Sequence, residues 1–525
     1  MARGMTFSFR SMFMKRLRAL RVGLPVAVLI ATVGLALAER SFDPANPPQG
    51  VFIDEWYSVM LQGAQCGFMH SVTRREGDRI VSVSDMQMTI QRDQFKVVIG
   101  LSQQFRETLD GRPLSFRQET SLAGQPMLHR GRFRDGKVRL TTEQFGAKQE
   151  HTYDVGEGVL MPWGLLLAQH RAGLKPGTKL TFKTYEPTLL AERAIESTLE
   201  VGDWEPIELP TGKARGLRVK TRLGLSQPMD SVGWVDAEGV PLVMEFSLGA
   251  IQVRVLRSDR ESAKKLEQTP ELFLNTFVRL DKPVRRDAER LVLRVSIPEG
   301  DLPKLPDTLL QRVQVVDART AVVTITRSKW EQVARAAEVK EMPPEVRECL
   351  SRSAYLDIDD PRVAELARKA RGDAEAPLAP AELADRLRRF VSDYIENKNL
   401  GVGFATASEV AQTREGDCTE HGVLLAALAR ANKMPARVVT GLLLVPRTRD
   451  QFGYHMWTQV WFGGRWVDLD AAMDQTECDA THLAIGTPTL NSGAALDGAF
   501  DLAGLIGRLK IEVVESATEA EKERQ

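Results

Sequence analysis

The chain has no surplus of either charge. Its 525 residues carry 70 Lys and Arg against 70 Asp and Glu, for a net charge of zero. A protein built to hold nucleic acid would show a basic excess or a basic stripe, and beyond the first residues there is neither, so no nucleic-acid partner is expected. Cysteine is scarce too. Cys66, Cys349, Cys418 and Cys478 are the only four, too far apart to frame a disulfide-built scaffold. No apolar run after residue 38 is long enough to span a bilayer, which argues against a polytopic membrane protein. Internal repeats, low-complexity tracts and a calcium loop of the D-x-[DN]-x-[DN]-G kind are also missing, so no metal or cofactor is expected. What is present, 43% hydrophobic and 27% charged residues, is the composition of a folded globular protein, and the length suggests two to four domains.

The first residues have a different character. Arg3, Arg10, Lys15, Arg16, Arg18 and Arg21 are unopposed by acids, and Val22 to Ala38 then runs without a charge. The run closes on Ala36-Leu37-Ala38, an A-x-A pattern, just before Glu39. Residues 1–38 therefore read as a cleaved export signal or as an uncleaved N-terminal anchor in the inner membrane. Pro25 and the shortness of the run favour the cleaved signal. Either way the rest of the chain is expected outside the cytoplasm, in the periplasm or cell envelope. Disulfides are allowed there, but the pairing of Cys66, Cys349 and Cys478 is not readable from spacing.

Residues 39–260 read as β structure. V-S-V-S-D-M-Q-M-T-I alternates as a strand with one covered face should, and Asp110-Gly111 and Asp135-Gly136 each separate extended runs. A turn signal, A-E-G, stands at 237–239, and only L-L-L-A-Q-H near 165 looks helical. The expectation is a large curved antiparallel sheet or half-barrel, lipoprotein-like in shape, serving as scaffold or partner platform. The charged stretch S-D-R-E-S-A-K-K-L-E-Q-T-P marks a boundary, and R-L-V-L-R-V-S-I and A-V-V-T-I-T suggest a small β module within 261–345. Helical spacing then appears in R-V-A-E-L-A-R-K-A and A-E-L-A-D-R-L-R-R-F-V-S-D-Y-I, on either side of a linker-like loop, R-G-D-A-E-A-P-L-A-P. Residues 346–515 read as a separate α+β domain, and 516–525 as a charged, frayed tail.

Chemistry concentrates near residue 415, in E-G-D-C-T-E-H-G-V-L-L-A-A-L-A-R. Gly416-Asp417 supplies a turn and a cap, and a mostly apolar helix follows. Cys418 stands at that helix N-terminus, where free N–H groups and the positive dipole end favour a thiolate and can hold an oxyanion. It can equally be a metal ligand, half of a disulfide, or a small buried apolar residue. Further on, strand period two puts His455, Trp457, Gln459 and Trp461 on one face, Gly463-Gly464 turns the chain back, and Trp466, Asp468 and Asp470 share a face of the return strand. Such a hairpin brings an aspartate beside a histidine, and a helix packed on it can deliver a thiol.

The order G-D-C-T-E-H, M-P-A-R-V-V-T-G, Y-H-M-W and W-V-D-L-D resembles the transglutaminase-like superfamily, in its bacterial branch among the papain-like cysteine hydrolases and transferases. The resemblance covers roughly residues 350–515, about a third of the chain. It implies an α+β core with Cys418 as nucleophile, His455 as base and Asp470 as orienting carboxylate, with Asp468 the second choice for the last role. D-A-A follows the strand where relatives often have D-P-T. It also implies a thioester intermediate formed from a protein or peptide substrate, resolved by water in hydrolysis or by an amine in crosslinking. Hydrolysis is the preferred outcome because water is abundant. The Cys418 N–H is the expected oxyanion donor, and no spacing selects Asn397 or Asn399 as a second.

Asp417, Glu420, His421 and Trp457 are expected to line or support this site rather than react. Cys418-x2-His421 and Cys478-x3-His482 also have the local spacings of a structural zinc site, but 56 residues separate the pairs. The alternative function is a non-catalytic envelope protein whose N-terminal β domain binds a partner or lipid.

Overall fold

The structure is a computed structural model of the chain. It describes residues 42–517 except 93–94, 123–124, 145–146, 174, 188, 226–228, 237–238, 240, 249–250, 267–268, 271–276, 328, 331–340, 354, 373–377, 400–404, 491–504 and 506. The leader read at 1–38, part of the turn at 237–239, the middle of the loop near 375 and most of the charged tail lie outside the described residues. The fold is α+β and multidomain. The described residues up to Leu272 make one compact unit, and those from Phe273 to Gly498 with the segment from Leu509 on make most of the other.

In the N-terminal unit fourteen strands form one antiparallel sheet. Its first strand, Gly50–Leu61, pairs in the middle with its last, Ile251–Ser258. Hairpins run outward from that pair to Ala147–Asp154 at one edge and Lys179–Thr184 at the other. Alternation sets which face is covered. In Arg79–Arg92, Ile80, Ser82, Met86, Met88 and Ile90 are buried while Asp85 and Gln87 face out. Asp135 and Gly136 take φ of 50° and 68°, the paired positive values of a two-residue hairpin turn that matches strand twist. The apolar helix Pro162–Ala172 buries Trp163 and Leu165 to Leu167. Its first N–H groups, at Trp163 and Gly164, donate to the buried Glu107 carboxyl at 2.9 and 2.8 Å. Burial lifts that carboxyl to about 7 against those two bonds.

The C-terminal unit is built on the strand Gln451–Phe462. It pairs with Ala436–Leu444 on one side, and with Arg465–Leu469 and Val278–Arg279 on the other. His482–Gly486 adds to the outer side of Ala436–Leu444. A separate four-stranded sheet joins Gln311–Asp317, Thr320–Thr326, Arg290–Ser296 and Lys510–Ala517, so its fourth strand comes from the far end of the chain. Helices Pro361–Arg371, Pro380–Tyr394 and Ala407–Thr413 surround a central helix, Cys418–Ala431, which lies against Gln451–Phe462. That helix is apolar on every side and is buried from Cys418 to Arg430.

Two glycines make the close approaches possible. Gly416 takes φ of 145°, and a Cβ there would lie 2.3 Å from Glu420 Cγ. A Cβ on Gly441 would lie 2.2 Å from the Leu483 carbonyl oxygen and 2.8 Å from the Trp457 ring. Only a bare backbone lets the His482 strand and Trp457 meet at that point. At the other end of the central helix, buried Arg430 donates to three backbone carbonyls: Ala436 at 2.9 Å, Ser351 at 2.6 Å and Thr489 at 2.6 Å. This single guanidinium ties the helix C-terminus to the loops around it. Arg430→Met keeps the stem but removes all three bonds, one of them to a buried carbonyl, so it should destabilise this unit by about 2 kcal/mol or more. Urea melts of the full chain check this, and a change under about 1 kcal/mol would mean the carbonyls have other partners.

Candidate active site

Cys418 occupies the first turn of the central helix. Asp417 caps it: its side chain accepts from the Thr419 N–H at 2.9 Å, and Glu420 accepts in return from the Asp417 N–H at 2.9 Å. The other Glu420 oxygen accepts from the Ala405 N–H at 3.1 Å. These bonds hold the helix start rigid. The Cys418 sulfur meets the backbone N–H of Met456, the residue next to His455. Thr458, two residues along the same strand, donates to the Gly422 carbonyl at 3.0 Å. The helix start and the histidine strand are therefore joined at two successive points.

The helix N-terminus is expected from the sequence to lower the Cys418 thiol. The structure corrects that. Burial pushes the thiol well above its ordinary value, the Asp417, Glu420 and Asp470 carboxylates add to the rise, and the Met456 N–H opposes it. Desolvation acts on the whole charge, whereas a helix terminus offers a partial one, so burial wins. The resting thiol is protonated near pH 7.

His455 Nε2 lies 2.6 Å from Asp470 Oδ2. Asp470 stands just past the strand Arg465–Leu469, and its backbone pairs with Gln475. Burial by itself would raise the Asp470 carboxyl, but His455 and His482 more than offset it and hold the carboxyl far below its usual range. An ionised Asp470 only accepts, so Nε2 of His455 carries the hydrogen and donates it. In the neutral ring Nδ1 then keeps its lone pair. Exposure is 8% at Cys418 and 6% at His455 but zero at Asp470, so the thiol and the ring retain a margin of access while the carboxylate has none.

Asp468, the second choice for the orienting carboxylate, goes elsewhere. Its Oδ1 accepts from Trp457 Nε1 at 2.8 Å and from Gln459 Nε2 at 2.9 Å. That bond fixes Trp457, whose ring stacks near His455 at 6.1 Å between centroids. His421 Nδ1 lies 2.6 Å from the Asp417 carbonyl oxygen, and burial lowers this ring to about 4, so it is neutral near pH 7. Asn397 and Asn399 both donate to Glu415, at 2.9 and 3.0 Å.

Sequence reasoning met His482 only through the Cys478-x3-His482 spacing. The structure puts this buried imidazole against Asp470, with Nε2 at 3.1 Å from the same Oδ2 that His455 uses. The four residues of the zinc spacing do not gather. Among the described residues the one set of three or more with metal-ligating atoms close together is His455, Asp470 and His482, within 4.8 Å. These three could hold an ion, but their facing atoms already meet each other at hydrogen-bond distance. None of the four cysteines is in a disulfide, and all are buried.

Comparison with known proteins follows the same outline. Residues 364–471 match the family model of the transglutaminase-like superfamily. No curated protein matches the chain. Among solved structures, a candidate cysteine protease from Cytophaga hutchinsonii is 16% identical over 43% of this chain and 86% of its own, at a TM-score of 0.30. A beta-barrel-like protein from Brucella abortus, a domain of unknown function, is 15% identical over 39% of this chain and 95% of its own, at 0.32. A candidate protease from Parabacteroides distasonis is 11% identical over 70% of this chain and 69% of its own, at 0.19. No weight rests on likenesses this distant. Residues 364–471, the stretch that holds Cys418, His455 and Asp470, form a transglutaminase-like superfamily domain.

Proposed function

We propose that this protein carries out thiol-dependent acyl transfer at peptide or amide bonds, with Cys418 as nucleophile, His455 as base and Asp470 as the carboxylate that orients the ring. The observation that carries this reading is the 2.6 Å bond from His455 to an ionised, buried Asp470, beside the strand position where the Cys418 sulfur is held. The Cys418 proton moves to His455 Nδ1 as the sulfur attacks the carbonyl carbon. Asp470 stabilises the imidazolium that forms. The imidazolium returns the proton to the departing amine, which leaves a thioester on Cys418. Water attacks the thioester, His455 takes its proton, and the acid and free thiol are released. An amine in place of water would give a crosslink, and hydrolysis is the preferred outcome. The charge-free run at 22–38 with its A-x-A end supports action outside the cytoplasm, on envelope proteins or peptides.

Because the resting thiol sits above its ordinary value, it is activated by His455 at the moment of attack rather than by a standing ion pair. Iodoacetamide labelling of Cys418 in the folded full-length chain should rise with pH, with a midpoint above the ordinary ~8.5 of a free thiol. A midpoint below pH 7 would overturn this order of events. At pH 7, His455→Ala should slow that labelling at least about tenfold. Equal rates in a folded variant would remove the base from the mechanism.

With a peptide-amide substrate, hydroxylamine should intercept the thioester as a hydroxamate, and Cys418→Ala should give none. Asp470→Asn leaves the shape intact but lets the ring adopt the wrong tautomer. It should lower turnover by about 10³-fold or more while circular dichroism stays that of the parent. Turnover that survives Cys418→Ala would end the acyl-transfer reading and move attention to the N-terminal sheet.

A further inference from the structure

The deepest part of this site lies past residue 471, where the family match ends. The strand His482–Gly486 brings a second imidazole, His482, to Asp470, and both rings converge on Oδ2, at 3.1 and 2.6 Å. The other nitrogen of His482, Nδ1, lies 3.3 Å from Asp479 Oδ1 and 3.1 Å from the Asp479 carbonyl oxygen. Asp479 is in turn held by the Thr481 N–H at 2.9 Å, the Thr481 hydroxyl at 2.5 Å and the Gln475 amide at 2.8 Å. Gln475 closes the circle, because its backbone pairs with that of Asp470 in both directions. Behind Asp479, Arg286 Nη1 stands 3.8 Å away.

We propose, resting on the acyl-transfer reading above, that His482 is a positioning residue: a buried second imidazole, anchored by Asp479, that fixes the Asp470 carboxylate and takes up part of its charge, so that less of it acts on His455. A carboxylate with one imidazole gives all its stabilisation to that ring's charged form. A carboxylate shared with a second ring gives less to each of them.

The groups facing His482 support this. Burial disfavours its charged form, and the Cys478 sulfur, Asp470 and Asp479 together more than offset that and raise the ring well above its ordinary value. Burial pushes the Cys478 thiol itself up to about 12, so near pH 7 the negative charge beside His482 is that of the two carboxylates. Asp468 lies near enough to be influenced by His482, and the Trp457 ring meets it edge-on at 5.2 Å between centroids. Both nitrogens of His482 point at acceptors, which is the arrangement a doubly protonated ring requires.

Two readouts on the full-length chain test the proposal. The first is the imidazole nitrogen–proton spectrum of the parent protein, which needs no variant. His482 should show both nitrogens protonated at pH 8, and a neutral His482 at pH 7 would overturn the proposal. The second is the pH profile of Cys418 labelling in His482→Gln, whose amide still donates to Asp470 but carries no charge. Removing a positive neighbour favours the protonated form of His455, so the His455-dependent limb of the profile should move up by at least about half a pH unit. Asp479→Asn should move it in the same direction by less, and it keeps the test open if His482→Gln does not fold. An unmoved limb in folded variants would reduce His482 to a packing residue. One zinc per purified chain, lost in His482→Gln, would also overturn the proposal by making the trio a metal centre. If His455→Ala leaves labelling unchanged, the acyl-transfer reading fails instead, and the nitrogen spectrum still reports on His482.

Discussion

Asp470 is wholly buried and still charged, and the rest of the site follows from that constraint. A lone carboxylate in this position would take up a proton. Two imidazoles on one oxygen prevent it, and each histidine is in turn oriented by the bond it makes. The direction of the His455 ring, the nitrogen left with a lone pair and the charge on His482 are all consequences.

The fold supplies this arrangement from pieces that are far apart in sequence. The capping box at Asp417 and Glu420 starts the central helix, and Arg430 anchors its end to three carbonyls. Between those ends the helix is apolar all round, so it sits in the core and carries Cys418 to the strand Gln451–Phe462. The tight turn at Gly463-Gly464 returns the chain so that Asp470 reaches His455. Gly441 removes the side chain that would otherwise separate Trp457 from the His482 strand. The same burial that makes the carboxylate pair strong makes the thiol a weak acid. In the proposed reaction, activation therefore depends on proton transfer to His455 at the moment of attack.

The N-terminal unit solves a different problem. Fourteen strands pair with near neighbours in the chain, apart from the central pair of first and last, and the segment with the helix Pro162–Ala172 joins the two edge strands. Alternating side chains then give the sheet one covered face. Glu107, bonded to the first N–H groups of Pro162–Ala172, is a buried acid used to seat a helix rather than to react. Chemistry-bearing side chains cluster in the other unit.

Local pattern was enough to read much of this protein from its sequence. Period two in V-S-V-S-D-M-Q-M-T-I, the Asp135-Gly136 turn, the capped start of the Cys418 helix and the hairpin around Gly463-Gly464 are all written in neighbouring residues, because turns, caps and alternation are short-range physics. Strand spacing offered an aspartate beside a histidine, and the resemblance to the transglutaminase-like superfamily pointed to Cys418, His455 and Asp470, with Asp468 as second choice on the same face. Three features were decided only by the tertiary structure. Asp468 turns to Trp457 and Gln459 instead of His455. The Cys418 thiol is raised rather than lowered, since desolvation depends on everything packed around it and not on its place in a helix. His482 reaches Asp470 because its strand adds to the outer side of Ala436–Leu444, a pairing between distant segments that no local pattern in A-T-H-L-A-I-G records.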